Sequence, residues 1–112
     1  MEKRISRKPV EVSDEFKIHR AHIYDYSFDT FGQIQAERCL QRIEKSLNSL
    51  FEHYTAYPEC RHIATKSRMY RNIILDAHII IYRITDERIE VLDIIHSASS
   101  IRKIREARKV RL

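Results

Sequence analysis

One glycine, two prolines, two cysteines and no tryptophan occur in 112 residues. Each scarcity removes a class of protein. A single glycine cannot build a Gly-rich phosphate loop, so nucleotide sites of the Walker or Rossmann kind are excluded. So little glycine and proline also excludes collagen, flexible linkers and proline-rich low-complexity sequence. Cys39 and Cys60 are too few and too irregularly placed for a disulfide scaffold, and a reducing, cytoplasmic setting is expected. The longest apolar runs, Ile73–Leu75 and Ile79–Tyr82, fall far short of the roughly 20 residues that a membrane span needs, so no membrane partner is expected. Met1-Glu2-Lys3-Arg4 has no apolar stretch behind it, so no secretory signal is expected.

The chain is 43% hydrophobic, and its length is that of one domain, residues 1–112. A domain of this size buries about two-thirds of the surface its unfolded chain exposes. It needs no metal or disulfide to fold. The charge is informative once located. The net +5 lies entirely in Ile101–Leu112, where Arg102, Lys103, Arg105, Arg108, Lys109 and Arg111 face Glu106 alone. Residues 99–112 therefore read as a basic C-terminal helix or tail. A second excess runs from Cys60 to Leu75, where Arg61, Lys66, Arg68 and Arg71 occur without a carboxylate. Two basic patches on a balanced body fit an anionic partner, either nucleic acid or an acidic protein segment; a solvated basic helix at the chain end is the plainer reading.

Periodicity gives the order β-α-α-β-β-β-α. Lys8–Val12 alternates weakly and reads as a first strand, with Pro9 tolerated at its start. Ser13 can cap a helix whose first turn carries Asp14 and Glu15. Phe16, Arg20, Ile23 and Ser27 follow one line of that helix, with Tyr24, Phe28 and Phe31 beside it. Phe28 and Phe31 are expected in the core, whereas Tyr24 and Tyr26 stay open between core and surface. Gly32, the lone glycine, suits a left-handed helix end. Ala36, Leu40, Ile43, Leu47 and Leu50 then step by 4, 3, 4 and 3, the spacing of an amphipathic helix that ends near His53. Two helices joined so tightly form an antiparallel hairpin. Cys39 reads as a small buried hydrophobe within it. Met69–Leu75, His78–Thr85 and Arg88–His96 are strand-like, separated by two-residue turns, and form an antiparallel meander. A last helix, about Ser99 to Lys109, carries Ile101, Ile104 and Ala107 at i, i+3 spacing. The expected fold class is α+β, with an N-terminal helical hairpin packed on a small, mostly antiparallel sheet.

Several motifs in this order resemble the RelE/ParE superfamily, the toxins of type II toxin–antitoxin modules. Ile23-x-x-Tyr26 followed by Phe31-Gly32 resembles the first helix of the ParE-like branch. Ala36, Ile43, Leu47 and Leu50, then Pro58-Glu59, resemble its second helix and exit. Tyr70-Arg71 ahead of His78-Ile79-Ile80-Ile81-Tyr82-Arg83-Ile84 is similar to the central strands, and Ile94-Ile95-His96 to a final strand ending in His. The resemblance covers about Pro9 to Arg102. Departures exist. His96 is followed by Ser97-Ala98-Ser99-Ser100 where the ParE-like branch usually has Gly, Arg and Asp. Ile79 and Ser97–Ser100 stand where the mRNA-cleaving RelE branch carries basic residues, and its paired lysines reduce to Arg71 beside Asn72.

The resemblance implies a growth-arresting toxin without a cofactor, bound by a cognate acidic antitoxin. In the ParE-like branch the implied target is DNA gyrase, and the toxin acts by binding. The alternative is a ribosome-dependent mRNA endonuclease, an enzyme that works without metal on the ribosome and mRNA; a third reading is a degenerate family member that poisons nothing. Metal-free RNA cleavage needs a base, an acid and cations around one phosphate. The residues available for it are His96, Arg71 and Arg68, with His96 alternatively a strand end that hydrogen-bonds nearby backbone. Target or RNA contacts would come from Arg61, Lys66, Arg68, Arg71 and Arg83. Antitoxin contacts, or a mobile tail, would come from Arg102, Lys103, Arg105, Arg108 and Lys109. Strand alternation points Tyr82 and Arg83 to opposite faces, so a paired or solvent-facing Arg83 is also open. His19-x-x-His22 lacks a third ligand at metal-site spacing, so no metal site is expected. Direct contact between the toxin and DNA is not indicated; that role resembles the antitoxin's.

Overall fold

Ser13 sets the start of the first helix in a computed structural model that describes residues 7–112. Its Oγ accepts the Phe16 N–H at 3.0 Å and its hydroxyl donates to the Leu92 carbonyl at 2.5 Å, so one side chain caps α1 (Asp14–Phe31) and ties it to the sheet. The Met1–Arg4 expectation lies outside the described residues. Helix α2 (Gln33–His53) begins directly after Gly32. Gly32 has φ +90° and ψ 175°, so the expected positive φ is present, but with an extended ψ rather than the left-handed helical one. That region is open to glycine almost alone. Its N–H donates to the Phe28 carbonyl at 2.9 Å and closes α1.

The sheet contains β1 (Val10–Val12), β2 (Tyr70–Ile74), β3 (His78–Ile84) and β4 (Ile89–His96), in the order β1-β4-β3-β2. β1 pairs with β4 in parallel and the meander β2-β3-β4 is antiparallel. The chain ends in α3 (Ile101–Glu106), followed by a 3₁₀ turn over Ala107–Lys109. This helix is shorter than the Ser99–Lys109 reading; Ser100 caps it by accepting the Lys103 N–H at 3.2 Å.

The two faces of the sheet are covered differently. Phe16, Ile43, Leu47, Leu50 and Tyr54 of the hairpin pack on Ile73, Ile80, Tyr82, Ile89, Val91 and Ile94. Each fully buried large apolar side chain there contributes about 1.5–3 kcal/mol. Tyr82 donates its hydroxyl to the Tyr54 carbonyl at 2.6 Å. On the opposite face Cys60, Ile63, Ile104 and Ala107 cover Ile81, Leu92 and Ile95. β4 is thus buried on both faces, where its sequence pattern reads as alternating. A bulge also shifts its phase. Ile81 pairs with Asp93 and Tyr82 with Val91, which leaves Leu92 as an extra residue. The phase shifts by one, so Ile89, Val91 and Ile94 share one face although their spacing changes from even to odd. Asp93 accepts from His19 Nδ1 at 2.5 Å and from the Ile94 N–H at 2.8 Å. Among the described residues no buried side-chain nitrogen or oxygen lacks a hydrogen-bond partner.

Two core expectations are corrected. Phe28 is 45% exposed and Phe31 65%. The buried line of α1 runs through Phe16 and Ser27, and Phe28 lies one residue, about 100°, off it; its ring meets that of Tyr24 in a tilted contact instead, with centroids 6.3 Å apart. Phe31 lies at the turn end of the hairpin, next to Gly32, where it lines a groove between the helices and the sheet. Cys39 is half-buried at the same groove rather than in the core.

Candidate functional site

The hairpin and the β2–β3 turn enclose a groove of about 630 Å³. Ile23, Tyr26 and Phe31 of α1, Cys39 and Ile43 of α2, and Leu75 form its apolar wall. Tyr26 is 68% exposed, so two large aromatic side chains stand open to solvent at one wall. Arg42 and Asp76 close one side, with Nη1 2.5 Å from Oδ2. That hydrogen bond and the adjacent guanidinium charge hold Asp76 below the usual carboxylate range. His78 and His96 stand at the other side as a cross-strand pair, their rings edge to face at 5.6 Å. Burial lowers the His78 pKa, and the neighbouring His96 lowers it further. His22 lines the same groove. Among the described residues no three His, Cys, Asp or Glu side chains are grouped to hold a metal ion. No local signal in the sequence marks this groove, because its walls come from four elements.

The three residues that RNA cleavage would use are not brought together. His96 pairs with His78 at the start of β3, whereas Arg71 pairs with Tyr82 four residues further along. That offset is about 13 Å along the strand. Arg71 is held at its own end: Nε donates to the Arg68 carbonyl at 2.9 Å, and Nη1 donates to Tyr57 O at 2.8 Å and Thr55 O at 3.3 Å. Arg68 has φ +53° and lies 3.9 Å from Glu59, a carboxylate just outside the basic run. The exposed His96 ring accepts the Ala98 N–H at Nδ1, 3.0 Å away, which places the proton of the neutral ring on Nε2. His96 caps the turn after β4, and among the described residues it enters no ion pair.

Arg83 is also committed. It is buried on the face away from the hairpin, pairs with Glu90 at 2.7 Å and donates to the carbonyls of Arg108 and Val110 at 3.3 Å. Arg61 and Lys66 are exposed on the loop before β2. Arg102, Lys103, Arg105, Arg108 and Lys109 are exposed on a tail that is itself anchored, since Ile104 and Ala107 are buried against the sheet. Arg105 Nε donates to the His62 carbonyl at 3.3 Å, so loop and tail meet.

A family model described as the ParE toxin of the type II toxin–antitoxin system, parDE, matches residues 10–101. Among solved structures, a chain of the chromosomal ParDE TA system from P. aeruginosa superposes with a TM-score of 0.67 at 15% identity, over 80% of this chain and 96% of that one. At that identity the likeness bears on the fold alone. No curated protein matches this sequence. The family match takes in β1, the hairpin, the whole meander and the first residue of α3, and the chain therefore belongs to the ParE toxin family of type II toxin–antitoxin systems.

Proposed function

We propose that this chain is a growth-arresting toxin that acts by binding DNA gyrase and is neutralised by a cognate acidic antitoxin. The observation that carries the binding mode over RNA cleavage is the separation of His96 from Arg71 and Arg68. A general base must stand within about 3 Å of the proton it takes, with cations around the same phosphate. Here the base is in register with His78 and the nearer cation, Arg71, with Tyr82, about 13 Å further along β3. Membership of the ParE family supports gyrase as the target, because gyrase inhibition is the activity that the ParE-like resemblance implies.

The groove suits the antitoxin. A partly disordered segment that folds on contact gains its affinity from apolar anchors, and Tyr26, Phe31 and Leu75 offer them in one concave surface. The basic tail is the other contact available to an acidic segment.

Pulse labelling after tightly controlled induction tests the reading. DNA synthesis is expected to stop before protein synthesis, and H96A is expected to stay toxic. Protein synthesis failing first, with toxicity lost in H96A, would replace gyrase binding by mRNA cleavage. Growth unaffected by the intact chain would mark it as a degenerate member.

A further inference from the structure

Two basic segments meet in the fold at a contact between residues 43 apart in sequence. The loop before β2 contributes Arg61, Lys66 and Arg68, and α3 contributes Arg102, Lys103 and Arg105; all six are exposed. The join is built, not incidental. Cys60 and Ile63 of the loop share one apolar cluster with Ile104 and Ala107 of the tail, and Arg105 donates to the His62 carbonyl. Two carboxylates reach this surface, Glu59 at 3.9 Å from Arg68 and Glu106 at 3.6 Å from Arg102. Among the described residues Arg61, Lys66, Lys103 and Arg105 have no carboxylate partner. The surface lies on the sheet face opposite the hairpin and its groove.

We infer that this face binds the phosphodiester backbone of a nucleic acid directly. An acidic peptide and a nucleic acid both carry negative charge, but they need different surfaces. Peptide recognition leans on apolar anchors seated in pockets. None of the six cations lines the apolar groove or the smaller cavity around Arg83 and Arg111. Backbone phosphates ask only for exposed cations at suitable spacing, Arg above all, and four of the six are Arg. This departs from the expectation that the chain makes no direct contact with DNA. That expectation rests on the family resemblance, in which contact with DNA resembles the antitoxin's role, whereas three cations on a loop or a short helix, taken alone, are ordinary solvated surface. The inference holds whether or not gyrase is the target.

Fluorescence anisotropy of the full-length chain with a 20-base-pair DNA duplex, a 20-nucleotide single-stranded RNA and polyglutamate tests it. Binding to duplex or RNA is expected at about 1–100 µM near physiological salt, with log K falling against log salt at a slope of about −4 if four to five phosphates are neutralised. The tighter of the two nucleic acids identifies the source of the phosphates. The double variant R61E/R105E should weaken binding at least tenfold at 50 mM salt. R38E/K45E, an equal charge change at exposed sites of α2, should weaken it less than threefold. Circular dichroism and a thermal melt confirm that both variants fold, since every changed side chain is exposed. No salt-dependent binding, equal losses in the two variants, or polyglutamate binding as tight as the nucleic acids would each overturn the inference; the last would make this face an acidic-peptide site.

Discussion

Arg83 Nη2 lies 2.7 Å from Glu90 Oε1, across the β3–β4 ladder, with 10% and 8% of the two side-chain surfaces exposed. Arg88 takes the other carboxylate oxygen at 2.7 Å. The remaining donors of Arg83 hold the carbonyls of Arg108 and Val110, so a buried ion pair fastens the C-terminal tail to the sheet. Removing one member leaves the other charge buried, which is the costly way to break such a pair. R83M is expected to destabilise the chain by about 3 kcal/mol, the lower end for a buried pair because Arg88 still faces Glu90. Urea unfolding measures it. R83M/E90L, which removes both charges, should recover most of the loss. Little loss in R83M would mean that the tail is held by Ile104 and Ala107 alone.

Acid should weaken the fold in two windows. His78 has a lowered pKa through burial and then His96, so the unfolded chain takes up its proton at higher pH than the folded chain. Stability from this source is full above about pH 6.5 and declines as pH falls through the lowered folded value. Glu90 is pulled upward by burial, but hydrogen bonds from Arg83 and Arg88 outweigh this and leave it below the usual carboxylate range. Its contribution is present above about pH 4.5 and is lost as pH falls further. The melting temperature should therefore step down as pH falls below about 6.5 and again as it falls below about 4.5. H78Q should remove the first step alone. A first step that persists in H78Q would assign it to another histidine.

G32A isolates backbone strain. A Cβ at Gly32 would meet nothing within 4 Å, so no side chain has to move. The conformation itself, φ +90° with ψ 175°, is unfavourable to an L-residue by about 1–3 kcal/mol. The unfolding midpoint should shift by that amount with an unchanged denaturant slope. A larger loss with a reduced slope would show that the hairpin had rearranged.

Y26D/F31D tests the groove as the antitoxin's seat. Both side chains are more than half exposed, so stability should change by less than about 1 kcal/mol in urea. Neutralisation by the co-expressed antitoxin should fail while toxicity persists. Neutralisation at the level of the unchanged chain would move the antitoxin to the basic tail.

Much of the fold was legible because it rests on local patterns. The Ser13 cap, the lone Gly32 between helices, the 4-3-4-3 spacing of α2 and the turns at Asp76 and Asp86 each announce themselves within a few residues. The misplacement of Phe28 and Phe31 has a different origin. Residue type says that an aromatic side chain gains from burial, but not where the supporting sheet ends. The β4 phase shift is invisible for a different reason. A bulge belongs to the pairing of two strands, and only the partner shows that Leu92 is the extra residue.

The candidate surfaces divide along the same line. The sequence by itself determined the order of elements, the amphipathic faces, the excess of basic charge at the chain end and the resemblance to ParE toxins, since these depend on neighbours within a turn or a strand. Tertiary structure alone decided that His96 and Arg71 stand four residues apart in register along β3, that an apolar groove opens beside Phe31, and that the loop carrying Arg61 meets the helix carrying Arg105. Those relationships follow from strand register and from which apolar residues pack together over long sequence separations, and hydrophobic packing sets them without leaving a local mark on the charged residues it carries into place.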